Sequence, residues 1–348
     1  MTDPPPIRAS LRALSQATGY SLATVSMALR DVPRIPEATR HAIQEAARKL
    51  GYTPNARIAS TMRQIRLPPH ERDFDAVAWL YEPYPRGYVP RHDYLASMLH
   101  GVRERAEKLG WHVEPFDITR REFQPKALSR ILYARGIQAA VLAPFHTVRE
   151  ELRLNLDRLA VVALGHSLKH PDVCRSKRAL IDNMGLAFHQ LKRRGYRRPG
   201  LIMWEEENLR SQHQPWAGFN VMKEELAPED RLPVLRIREY NKEALLPWIR
   251  EHRPDVIVGG TPWVYWSLLE LGVDIPGKMG FLLTTRTVED EGICGLDPNY
   301  ELKGASGVEL AIQLARHEEY GVPEVPRTML IASSWREGGT LRPPRDAA

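Results

Sequence analysis

The sequence predicts a small all-α head joined to a larger α/β body of two lobes, with doubly wound parallel sheets. Three observations carry that expectation. Apolar residues recur at helical spacing over the first fifty residues. Short apolar runs alternate with amphipathic helices from residue 75 onward, and the charge divides between the two stretches. At 348 residues the chain exceeds one compact domain of roughly 100–200 residues. With 43% hydrophobic and 26% charged residues it can bury a sizeable core, which excludes a wholly disordered chain. No apolar run approaches the roughly 18 residues of a spanning helix, and MTDPPPIRAS has no apolar signal-peptide core. The two cysteines, Cys174 and Cys294, fit a reducing cytoplasm and exclude a disulfide scaffold or a cysteine-based zinc site.

Residues 1–66 hold ten Lys/Arg against four Asp/Glu, whereas the rest of the chain holds 39 of each. The whole net charge of +6 therefore sits in the first fifth. A basic head on a neutral body either meets a polyanion or is a solvated basic surface.

The head reads as three helices. Ser10 can cap the first, with Leu11, Leu14 and Ala17 on its inner face. Gly19 supplies the left-handed conformation of a tight turn. Ser21 then caps a second helix with Leu22, Val25 and Leu29 inward. A third begins near Pro36 and carries Ile43, Ala46, Ala47 and Leu50, before Gly51 stops it. Two short helices joined by a glycine turn and braced by a third make a helix-turn-helix.

The run from Leu11 to Ser60 resembles the DNA-binding head of the lactose-repressor (LacI/GalR) family of bacterial transcription regulators. The matching pieces are Ala17-x-Gly19-x-Ser21-x-x-Thr24-Val25-Ser26, Thr39-Arg40 and Leu50-Gly51-Tyr52-x-Pro54-Asn55. The resemblance makes residues 22–29 the recognition helix. Ser21, Thr24 and Ser26 would offer hydroxyls to phosphates, and Leu22, Ala23 and Met27 would face base edges. Arg30 and Arg34 would follow at the helix exit, and Tyr52, Asn55 and Arg57 would complete the DNA-facing set. Relatives often carry Arg at the position of Met27; Met cannot clasp guanine, so thymine methyls and shape should weigh more, unless Met27 packs under the helix. Residues 55–63 resemble the family's hinge helix, which folds on DNA and wedges a leucine into the minor groove. Thr61 and Met62 stand there, and Met62 is the one able to wedge; the alternative is a short linker helix without DNA contact.

The expected organisation is a head at 1–54, hinge and linker at 55–74, a body at 75–340 and a tail at 341–348. In the body, Ala76–Leu80, Trp111–Phe116, Ile137–Ala143 and Ala160–Leu164 read as strands. Ala179–Asp182, Gly200–Trp204, Asp255–Val258 and Met279–Leu283 continue the series. Leu95, Leu99, Val102, Ala106 and Leu109 share a helical face that Gly110 ends. Such alternation implies parallel sheets with helices on both faces, and its length implies two lobes with a cleft. The lobe boundary is expected near 166–180, with crossovers near 285–300 and 322–326. The same resemblance implies a periplasmic-binding-protein-like body that dimerises and binds a small effector between its lobes.

Relatives that bind sugars carry an Arg three residues before the Gly of Gly218-Phe219, where this chain has Pro215. They carry Asn-Asp where it has Gly260-Thr261-Pro262-Trp263, and paired acids where it has Thr284-Thr285-Arg286. The remaining candidates at strand ends are Glu82, Tyr84, Asp182, Trp216, Trp263, Arg286 and Asp297. The two tryptophans either stack on a ligand or belong to the core, and Arg286 would pair an anionic ligand.

Gly165-His166-Ser167-Leu168-Lys169 imitates a hydrolase nucleophile elbow, but Lys169 replaces the second glycine and Pro171 interrupts the helix that must follow. His166 and His170 lack further metal ligands. No cofactor, metal or catalytic site is therefore expected. The reading is a cytoplasmic, homodimeric transcription regulator, most simply a repressor, with double-stranded operator DNA and a small, carbohydrate-related effector as partners and no membrane attachment. The alternative is an effector-blind DNA-binding scaffold with a degenerate cleft.

Overall fold

The structure, a computed structural model, describes residues 11–29, 35–50, 52, 75–85, 93–123, 125–239 and 241–345. It divides into two units, Met1–Asp73 and Phe74–Ala348. The anticipated cap at Ser10 and the hinge and linker at 55–74 lie outside the described residues.

In the first unit, α1 (Leu11–Thr18), α2 (Leu22–Leu29) and α3 (Glu37–Lys49) pack together. Eight-residue helices are too short to persist alone, so the shared core of Leu14, Val25, Ala28, Ile35, Ile43 and Ala47 holds them. Gly19 ends α1 at φ +70° and donates to the Ser15 carbonyl at 3.0 Å. Ser21 caps α2, its Oγ accepting the Thr24 amide at 3.2 Å, and Pro36 stands at the cap of α3. Three residues expected to face inward, Ala17, Leu22 and Leu50, are exposed; Ala28 and Ile35 fill the core instead.

The body begins with β1 (Ala76–Tyr81), α4 (Tyr94–Lys108), β2 (His112–Asp117), α5 (Pro125–Ala134) and β3 (Ala139–Leu142). It continues through β4 (Arg149–Glu151), β5 (Ala160–Leu164), β6 (Leu168–His170) and β7 (Cys174–Arg178). The second lobe holds α6 (Leu180–Arg193), β8 (Pro199–Trp204), α7 (Glu205–Arg210), α8 (Gln214–Lys223), β9 (Leu235–Ile237) and α9 (Leu245–His252). β10 (Val256–Gly259), α10 (Pro262–Glu270), β11 (Gly280–Leu283) and β12 (Gly295–Asp297) complete its main run. Last come α11 (Tyr300–Arg316), β13 (Thr328–Ile331) and β14 (Ser334–Arg336).

One six-stranded sheet has the order β13-β7-β5-β3-β1-β2, all parallel; the other has β14-β12-β11-β10-β8-β9, parallel except for β14. Alternating side chains leave the first sheet on opposite faces. Val77, Trp79, Val141 and Val162 pack under α4 and α11, while Ala78, Leu80, Phe116 and Val161 meet Leu128 and Leu132 of α5. In the second sheet, Leu201, Val258 and Leu282 meet α6 and α8, and Ile202, Ile257 and Phe281 meet α9 and α10. Both sheets are thus doubly wound, as expected.

The chain passes between lobes three times: at β7–α6, at β12–α11, and between β13 and β14. Asn183 holds the third passage, its Oδ1 accepting the Ser333 amide at 3.0 Å. Residues 322–326, expected to cross, join α11 to β13 inside the first lobe; the true crossing lies at 332–333. The anticipated strand at Ala179–Asp182 is instead the start of α6. The strand before it, with the polar sequence CRSKR, pairs with β5 and β13. The expected tail also packs: Leu341 enters the second-lobe core and the Arg345 amide donates to the Arg193 carbonyl at 2.9 Å. Among the described residues no helix is long and apolar enough to cross a membrane.

Candidate functional site

The head presents the N-terminal end of α2. Ser21, Leu22 and Ala23 are exposed and Thr24 half-buried, with Leu22 at 49% of its free surface. The Ser21 and Thr24 hydroxyls share a 2.9 Å hydrogen bond, so the capping pair also forms the polar corner of this surface. Ser26 is half-buried. Met27 and Tyr52 both pack partly against the head core, and burial raises the Tyr52 hydroxyl pKa. Arg30, Arg34, Asn55, Arg57, Thr61 and Met62 lie outside the described residues.

In the body, the loops at the carboxyl ends of the strands meet between the lobes. From the first lobe come Tyr94 at the start of α4, His146 after β3, His166 after β5 and Arg178 at the end of β7. From the second come Glu207 and Arg210 of α7 and Gln212 beyond it, while Tyr300 and Lys303 open α11. Arg210 reaches across and donates from Nη1 to the carbonyls of His146 at 3.2 Å and Phe145 at 3.5 Å. His166 Nδ1 donates to Gln212 Oε1 at 2.9 Å. Arg178 Nη2 donates to the Thr284 carbonyl at 3.2 Å. The free space lined by Arg178, Asn183, Glu207, Gly260 and Thr284 is about 20 Å³, room for about one water. Side chains from both lobes thus meet across the cleft.

Burial dominates its electrostatics. It pushes the Lys303 ammonium down to about 7, with Arg178 and Arg210 adding repulsion. It pushes the His166 imidazole down to about 4, aided by Lys177. The Glu207 carboxyl is raised by burial even though Arg210 and Arg178 stand beside it.

The expected cleft residues scatter. Tyr84 does face this region, its ring 4.9 Å from that of His146 and its hydroxyl donating to Asp93 at 3.0 Å. Glu82 pairs with Arg149 at 3.4 Å and lies near enough to act on the His146 charge. Asp297 is taken by Arg336 at 3.0 Å. Trp263 packs on the second-lobe core. Asp182 and Trp216 are exposed on α6 and α8. Arg286 turns its Nε to the Ile293 carbonyl at 2.7 Å, and none of its recorded contacts reaches the interlobe cluster. Ser167, the imitation nucleophile, is buried, its Oγ accepting the Phe145 amide at 2.8 Å.

The cationic residues that do line the cleft were absent from the sequence reading. Lys303 carried a usable signal. It is in helical phase with Gly307, Leu310 and Leu314, which places a lysine on the buried stripe of α11.

Residues 12–55 match the family of "Bacterial regulatory proteins, lacI family". Among solved structures, the chain is similar to the lac repressor dimer bound to operator and the anti-inducer ONPF. The identity is 14%, the coverage 97% of this chain and 100% of that one, and the TM-score 0.57. It is similar to the transcriptional regulator CelR in complex with cellobiose, at 15% identity, 96% and 100% coverage and a TM-score of 0.54. A putative LacI-family regulator from Rhizobium etli gives 13%, 77% and 99%, with a TM-score of 0.60. At these identities the likeness is one of fold. No curated protein sequence matches the chain significantly.

Proposed function

We propose that this chain, whose head is a lacI-family helix-turn-helix domain, is a cytoplasmic transcription regulator. It binds a near-palindromic operator as a homodimer, acts most simply as a repressor, and responds to a small, carbohydrate-related ligand between its lobes. The observation that carries the reading is the exposed N-terminal end of α2, Ser21 to Thr24, within the stretch 12–55 that matches the lacI family and within the first 66 residues, which hold all the net charge. Hydroxyls there suit phosphates, and Leu22 and Ala23 suit thymine methyls. Arg30, Arg34, Tyr52, Asn55, Arg57, Thr61 and Met62 are the further DNA contacts we propose. The likeness of the whole chain to an operator-bound repressor dimer and to a cellobiose-bound regulator supports the coupling of the two functions.

The test is selection of binding sites from randomised duplexes with the full chain. A near-palindromic sequence is expected, with log affinity falling by roughly 0.9 per neutralised phosphate as log salt rises. Deleting residues 1–66 should abolish binding; a body that still shifted the selected DNA would overturn the assignment. A second reading, the effector-blind scaffold, has in its favour the bonds that already span the cleft, from Arg210 to the Phe145 and His146 carbonyls and from His166 to Gln212. It predicts that no ligand alters affinity for the selected DNA.

A further inference from the structure

The interlobe cluster holds more positive than negative charge, and part of that charge has no partner. Arg178, Arg210 and Lys303 arrive from three different elements, and Glu207 is the one carboxylate recorded as acting on either arginine at close range among the described residues. Lys303 is 5% exposed. Its one recorded side-chain interaction is with the face of the Tyr300 ring, 5.9 Å away. Arg178 Nε is buried without a hydrogen-bond acceptor. The arginine hydrogen bonds that close the cleft end on neutral groups: the Thr284, Phe145 and His146 carbonyls at 3.2–3.5 Å, the Tyr300 side chain for Arg178 and the Tyr94 side chain for Arg210.

A buried cation without a partner is costly, and a carbonyl is a weaker acceptor for a guanidinium than an oxyanion. One negatively charged group entering between the lobes would answer both deficits. It would give Lys303 Nζ and Arg178 Nε an acceptor, and it would draw Arg210 from the Phe145 and His146 carbonyls that tie the lobes shut. Around the same cations stand Tyr94 and Tyr300, whose rings lie 5.9 Å apart. Tyr84 stands 5.6 Å from Tyr94. These faces suit the carbon skeleton of a sugar-sized molecule.

We infer that the ligand of this cleft carries a carboxylate or phosphate group, held by Arg178, Arg210 and Lys303. The inference rests on the reading that the cleft is an effector site and adds the chemical class of the effector. Anionic charge would be drawn from Arg286, as first expected, to this trio. Binding would also take up a proton. The groups acting on Lys303 are Arg178 of β7, Arg210 of α7, His166 after β5 and the Tyr300 ring of its own helix, while Glu207 of α7 and Tyr94 of α4 act on the arginines. An oxyanion among them would raise the lysine pKa above its present value near 7.

The experiment is calorimetry and thermal unfolding of the full chain with D-gluconate, D-glucose 6-phosphate and inorganic phosphate, beside neutral D-glucose and cellobiose. At least one anion should bind, roughly tenfold or more tightly at pH 6 than at pH 8.5. Lys303→Met and Arg178→Gln should each weaken it by at least tenfold, with circular dichroism confirming that both variants fold. Gluconate alone identifies a carboxylate, and glucose 6-phosphate with or without phosphate identifies a phosphoryl group. Binding of glucose or cellobiose with no response to any anion would overturn the inference and leave the effector reading standing. Anion binding that left affinity for selected DNA unchanged would keep the anion site and remove its regulatory role. No response to any of the anions overturns the inference outright.

Discussion

Arg194 and Glu337 are joined across 143 residues: Nη2 of Arg194 donates to both carboxylate oxygens of Glu337, at 2.6 and 2.9 Å. The other terminal nitrogen donates to the Gln190 carbonyl and side chain at 3.1 and 2.7 Å. The guanidinium lies 5.0 Å from the Trp335 ring. The pair ties the end of α6 to the segment following β14. It is lopsided, with Arg194 1% and Glu337 63% exposed. Removing the carboxylate would strand a buried cation, whereas the exposed partner loses little by itself.

Glu337→Gln should therefore destabilise the chain by about 1.5–3 kcal/mol, the usual worth of a hydrogen bond to a charged group. Burial would raise the Glu337 carboxyl pKa, but hydrogen bonds from Trp335 and Arg194 outweigh it and hold the value below 4.5. A depressed carboxyl stabilises the fold above its unfolded value, and the contribution is lost as pH falls through the folded value. Urea unfolding of both proteins should show a gap at pH 7 that narrows below pH 4.5. A constant gap would mean that shape rather than charge joins the pair.

The crossing of α4 and α11 gives a second prediction. A Cβ built on Gly101 would overlap the Glu301 carbonyl, and one on Gly304 would overlap the Met98 carbonyl. Two helix backbones meet there, and neither can yield as a flexible side chain could. Ala favours an exposed helix over Gly by roughly 1 kcal/mol, but here overpacking should win. Gly304→Ala is expected to destabilise by about 1–3 kcal/mol, read as a lower denaturation midpoint. An unchanged or raised midpoint would show that the helices can separate at no cost.

On α2, Leu22 and Met27 should separate stability from recognition. Leu22 is exposed, so Leu22→Ala should change stability by less than about 0.5 kcal/mol while weakening binding to selected DNA. Met27 packs partly on the core formed by Leu14, Val25 and Ile43, so Met27→Ala should lower head stability by about 1–2 kcal/mol. Thermal unfolding beside binding to the selected duplex measures both. The reverse pattern would place Met27 in the groove and Leu22 in the core.

These positions also show what the sequence could reveal. Gly19 and Ser21 were legible because each performs local work, a left-handed turn and a cap, that few residue types can do. The phase of α2 was not legible. In eight residues, Leu22-Val25-Leu29 and Val25-Ala28 are both plausible inner faces, and only packing against α1 and α3 selects the second. β7 escaped notice because its buried groups are polar: Ser176 donates to the Lys303 carbonyl at 3.0 Å, and Arg175 to that of Gly165 at 3.3 Å. Such partners are distant in sequence and invisible to periodicity. Trp263 and Arg286 were placed at the right strand ends, yet their side chains turn to the core and to the Ile293 carbonyl. Strand position fixes where a residue is, and packing decides where its side chain goes.

Lys303 gives the last prediction. In the unfolded chain a lysine stays protonated up to about 10.5, whereas burial beside Arg178 and Arg210 lets this one release its proton near 7. The folded state therefore resists a proton that the unfolded state accepts. The penalty is complete below pH 7, shrinks as pH rises toward 10.5 and vanishes above it. At 1.36 kcal/mol per pKa unit, it is on the order of 5 kcal/mol at its fullest. Methionine has a similar length and no charge, so Lys303→Met should stabilise the ligand-free chain at pH 6, with a gain that closes toward pH 10. Urea unfolding across that range measures it. A variant less stable than the parent at pH 6 would mean that the ammonium already has a partner in the closed cleft, and that the cleft does not wait for an anion.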